Sequence, residues 1–116
     1  MVVEVSAERF EELVGEALDR LPPQIVAMLD NVMIQVQDEA EGQPGLLGLY
    51  HGIALTERTT DYSFALPDQV TLYRRPLMRV CTDEQELAAQ IAVTVVHELG
   101  HHVGIDDERL HELGWA

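Results

Sequence analysis

The chain has 116 residues, 47% of them hydrophobic, and a formal charge of −14 at neutral pH. That length holds one domain, 1–116, around one modest core. The acidic balance argues against nucleic acid or an anionic membrane as partner, and because all seven basic residues are Arg, lysine-based Schiff-base and phosphate-loop chemistry is excluded.

Met1 to Val5 lacks a basic region and a long apolar run, so no signal peptide is expected and the location read from the sequence is cytoplasmic. From Ala7 to Leu21 apolar residues recur at three and four behind Ser6, a natural N-cap, and Pro22-Pro23 stops the run. Pro23 opens a short second helix to about Leu29. Met33 to Gln37 reads as a strand with Ile34 and Val36 on one face. Glu41 to Gly45 is a turn, Leu46 to Tyr50 a short strand, and the stretch to Thr60 has no sustained period. Gln69 to Tyr73 reads as a further strand. Cys81 is the only cysteine; it excludes an internal disulfide and is read as a small buried apolar residue rather than a nucleophile.

Thr82 and Gln85 form a capping-box signature for the longest helix, Asp83 to Val103. Its apolar positions Ala88, Ile91, Ala92, Val95, Val96, Leu99 and Val103 cover over a third of the circumference, so the helix should run through the middle of the domain. Gly104 is the expected left-handed terminator. Ile105 and Leu110 flank an Asp106 N-cap as a hydrophobic staple for a last helix to about Leu113.

Four of the five histidines lie between 97 and 111, where the chain reads His97-Glu98-Leu99-Gly100-His101-His102-Val103-Gly104-Ile105-Asp106-Asp107, in motif form HExxHxxGxxD. Two His four apart on a helix are about 40° apart around the axis and one turn apart along it, so both imidazoles can close on one ion. Glu98 flanks that face, within reach of a water but outside the ligand set. A catalytic zinc needs a third protein ligand and an open position. Gly104 turns the chain so that Asp107 can supply that ligand, with Asp106 as the rival carboxylate. Structural imidazoles at a helix end and a solvated Glu98 are the bland alternatives. His102 falls among Ile91, Val95 and Leu99 and is read as a packed core histidine, His111 as an outer-shell or proton-donating group, and His51 is left unassigned.

These residues resemble the zincin metallopeptidases, whose signature is HExxH on an active-site helix. With Gly104 and Asp107 the motif resembles the Asp-zincin variant of the metzincin pattern. From about residue 20 to 116 the chain resembles the small bacterial mini-zincin family, through Gly48-Leu49-Tyr50, Gly52, Leu55-Thr56, Pro67-Asp68, Leu72-Tyr73 and Pro76-Leu77 as well as the motif. The resemblance implies an α+β fold, a minimal zincin-like domain with a small twisted sheet packed on helices and a central active-site helix. It also implies one zinc ion per chain and a peptide or protein substrate. Extended substrate is expected beside the strand at Gln69 to Tyr73, on Val70, Leu72 and Tyr73. One departure is the lack of any Met after Asp107 to floor the site; Trp115 is the aromatic available there.

The expected chemistry is hydrolysis of a peptide bond by a metal-activated water with Glu98 as general base. Tyr50, Tyr73 and His111 are unranked candidates for holding the oxyanion. The alternative is an inactive zinc-binding zincin fold that serves as an interaction module. So small a domain is compatible with homodimerisation, though no residue argues for it.

Overall fold

The computed structural model describes residues 2–30, 32–52 and 68–103, with the backbone alone at 28 and 101–103. The expected turn at Gly104, the last helix and Asp107 lie outside the described residues, as does 53–67. Helix α1 spans Ala7–Asp19, and Ser6 caps it by accepting the Arg9 amide at 3.1 Å. It ends two residues before the expected Leu21, because a residue preceding proline is pushed out of the helical region. Helix α2 is Pro23–Met28, opened by Pro23 at its first position.

Strands β1 (Val32–Gln37), β2 (Gly48–His51) and β3 (Asp68–Tyr73) form one mixed sheet in the order β1-β3-β2. β1 is parallel to β3, with Ile34 beside Val70 and Val36 beside Leu72. β2 is antiparallel to β3, with Gly48 opposite Leu72 and Tyr50 opposite Val70. Between β1 and β2 the chain turns at Gly42, whose φ of 75° is open to glycine, and Gln43 N–H donates to Ala40 O at 3.1 Å.

Helix α3, Arg74–Arg79, was not expected. Pro76 stands in its first turn, where a missing N–H is not needed by the helix. Helix α4 runs Glu84–Val103, one residue later than expected. Its cap is Asp83 rather than Thr82: Asp83 Oδ1 accepts the Glu86 amide at 2.7 Å, while Thr82 donates its hydroxyl to Glu86 Oε2 at 3.1 Å.

The fold is α+β. α4 packs on α1, α3, β2 and β3 at once, which is why Leu87, Ile91, Val95, Val96 and Leu99 are all buried. Each such side chain withdrawn from water stabilises by about 1.5–3 kcal/mol. Residues Val3 to Val5 lie along α3, with Val3 N–H donating to Cys81 O at 2.9 Å and Val5 O accepting from Arg74 Nη1 at 3.0 Å. Among the described residues no helix is long and apolar enough to cross a membrane.

The strand order corrects the expected substrate position. β3 is central, with a hydrogen-bonded neighbour on each side, and an incoming peptide pairs only with an unfilled edge. Val70 and Leu72 are wholly buried and Tyr73 is 5% exposed. They build the core, not a docking edge.

Candidate functional site

Bordering the core-facing stripe of α4, Gln90, Thr94, His97 and Glu98 follow one another at helical spacing. This polar stripe forms one wall of a cleft of about 550 Å³; the facing wall is Leu46, Leu47 and Gly48, at the entry to β2. His97 and Glu98 both open into this cleft and are half-buried. Val93 adds an apolar patch beside Thr94.

The two walls are joined by a hydrogen bond: the backbone N–H of Tyr50 donates to Glu98 Oε1 at 3.2 Å. Lower on α4, Thr94 Oγ1 donates to Gln90 O at 2.8 Å, which fixes its rotamer. Gly48 lies directly over this turn of helix. The Tyr50 phenol donates to Asp68 Oδ2 at 2.7 Å, across to the start of β3.

Of the expected site residues, the structure brings His97 and Glu98 into one cleft. The backbone of α4 continues unbroken through His101, so the second histidine rides one turn beyond the first on the same helix. The His101 side chain and Asp107 are outside the described residues. Among the described residues no three His, Cys, Asp or Glu side chains gather as a metal site, since only one of the three expected ligand side chains is among them. An imidazole facing a cleft, with another one helical turn on, fits the nitrogen donors that zinc takes.

Cys81 is neither ligand nor nucleophile. It is 1% exposed, and burial, helped by the nearby Glu86 and Asp83 charges, pushes its thiol up to about 11. Tyr73 is buried in β3, the Tyr50 phenol is engaged with Asp68, and His111 lies outside the described residues.

The cleft wall at Leu46 to Gly48 was missed as a site from the sequence. Its signal was present in α4, where Gln90 and Thr94 interrupt an otherwise apolar run four and three residues ahead of the next polar position. That spacing marks a second, polar face leading to His97.

The fold is shared with a conserved hypothetical protein from T. thermophilus, with a TM-score of 0.57, 24% sequence identity, and 85% of this chain and 94% of that chain covered. No curated protein matches the chain. The zincin-like metallopeptidase family matches residues 29–115, a span that includes the whole sheet, α3, α4 and the HExxHxxGxxD positions. A match over most of the chain, on an α+β fold with its motif helix at the centre, places this protein in the zincin-like metallopeptidase family.

Proposed function

We propose that the chain is a zinc-dependent peptidase acting on extended peptide at the cleft between α4 and β2. The observation that carries this reading is the placing of His97 and Glu98, neighbours in sequence, in one cleft beside β2, which among the described residues is an edge strand of the sheet. His97, His101 and Asp107 would hold the metal. When bound, zinc supplies Lewis acidity toward the substrate carbonyl and a lowered pKa for water, about 7.

The chain's own groups account for the rest. Glu98 takes the proton from the attacking water on its carboxylate and passes it to the departing amine nitrogen. β2 replaces β3 as the strand that receives substrate. Tyr73 N–H donates to Leu47 O at 3.0 Å, so by alternation Leu49 and His51 turn their backbone groups toward β3 while Gly48 turns its own outward to meet a peptide, the outward N–H of Tyr50 being held by Glu98. Among the described residues no strand lies beyond β2. An extended peptide adding there runs past Glu98 with alternate side chains entering the cleft by Leu46 and Val93.

The test is hydrolysis of casein by the purified, zinc-loaded chain and by its Glu98→Gln variant. The reading expects cleavage by the first and loss of at least about a hundredfold in the second with zinc retained. Zinc bound without cleavage in either would leave a metal-holding scaffold and overturn the peptidase assignment.

A further inference from the structure

We infer that Gly48 is a positioning residue for Glu98: its missing side chain lets β2 approach α4 closely enough for the Tyr50 amide to hold the carboxylate. The inference rests on the role given to Glu98 above, but its geometry stands apart from any turnover.

Gly48 is buried and faces α4. A Cβ at that position would stand 2.7 Å from Thr94 Cγ2, 3.2 Å from Thr71 O and 3.7 Å from Glu98 Cγ. The first distance is a clash, and neither neighbour yields easily. Thr94 is β-branched, stiff about χ1 within a helix, and tied by its hydroxyl to Gln90 O at 2.8 Å. Thr71 O belongs to the backbone of the central strand. Any side chain therefore pushes β2 and α4 apart. Gly48 is required for space, not for an unusual backbone angle.

That separation acts on the contact two residues along the strand. At 3.2 Å the Tyr50 N–H to Glu98 Oε1 bond is already at the long end of the range for N–H···O. A displacement of a few tenths of an ångström breaks it. The bond crosses from β2 to the helix and helps to orient the carboxylate, and proton transfer depends steeply on such orientation. The sequence Gly48-Leu49-Tyr50 thus works as one device. Gly48 sets the approach, Leu49 turns its backbone to β3, and Tyr50 presents the amide to Glu98.

The experiment is residue-resolved amide hydrogen exchange on the full, zinc-loaded chain without substrate. In the wild type the Tyr50 amide should exchange about tenfold slower than in Glu98→Ala, the protection that a hydrogen bond to a charged acceptor confers. Glu98→Gln keeps an acceptor oxygen and should retain part of it. Gly48→Ala should lose the protection. Thr94→Ser, which deletes the clashing methyl but keeps the hydroxyl, should leave the wild-type rate and partly restore protection when combined with Gly48→Ala. Casein cleavage by the same set should fall about tenfold in kcat for Gly48→Ala with KM little changed, and recover in the double variant.

Equal Tyr50 exchange in wild type and Glu98→Ala would overturn the inference, as would full protection in Gly48→Ala. Because Glu98→Ala alters no atom of the Gly48 to Thr94 contact, the first comparison decides even if Gly48→Ala fails to fold. A positive exchange result with no cleavage by any variant would sink the peptidase reading and leave the positioning intact.

Discussion

Arg79 at the end of α3 reaches the loop ahead of β2 and binds Pro44: its Nη1 donates to Pro44 O at 3.1 Å, while Nη2 lies 2.6 Å from Glu39 Oε1. The next residues, Gly45 to Gly48, are the cleft wall opposite α4. The wall is thus held from outside the cleft by a residue that never lines it.

Arg79→Ala should therefore loosen the wall more than it destabilises the fold. An exposed ion pair is worth about 0–1 kcal/mol, so the thermal midpoint should move by only a few degrees. Limited proteolysis between residues 39 and 47 should accelerate severalfold, while the α4 amides keep their exchange rates. Loss of α4 protection to the same extent would show that the loop and the core unfold together and that this account of Arg79 is wrong.

Cys81 predicts a specific dependence on alkali. The folded protein holds the thiol proton up to about 11, whereas an unfolded chain releases it near 8.5. Below that lower value both states are protonated and the group contributes nothing to the pH dependence. Above it the unfolded state ionises first, so stability is lost as pH climbs from about 8.5 toward about 11. The loss should amount to roughly 1–3 kcal/mol and be missing from Cys81→Ala. Denaturant titrations of the two proteins between these limits measure it. A native thiol that reacts with an alkylating reagent as fast as one in urea would contradict the burial.

The start of α4 offers a direct comparison of two neighbours. Asp83→Ala removes the acceptor of the Glu86 amide and should cost about 1 kcal/mol. Thr82→Ala removes only an exposed hydroxyl contact to Glu86 and should cost less than half of that. Equal costs in urea unfolding would restore Thr82 as the cap.

Much of this architecture is legible in the residues themselves. The three-and-four spacing from Phe10 to Ala17 and from Ala88 to Leu99 foretold α1 and α4, since both bury one continuous stripe. His97 and Glu98 share a cleft as their spacing on α4 implied. The strand at Gln69 to Tyr73 was legible, its place in the sheet was not. Alternation reports which faces are buried, not which strands sit to either side. Burial of Thr71 as well as Val70 and Leu72 marks a central strand, and a threonine conceals that from a reading by polarity. β2 was hard to bound because Gly48 carries no side chain to mark a face, and its value lies in the contact with Thr94, a long-range fact. α3 was hidden by Pro76.

Elemental analysis tests most directly the proposal that the helix through His97 and His101 grips a metal. The purified wild-type chain should carry one zinc, and its His97→Ala variant, folded by circular dichroism, should carry almost none. Zinc absent from the wild type after growth in zinc-supplemented medium, or equal zinc in the two proteins, would contradict the account.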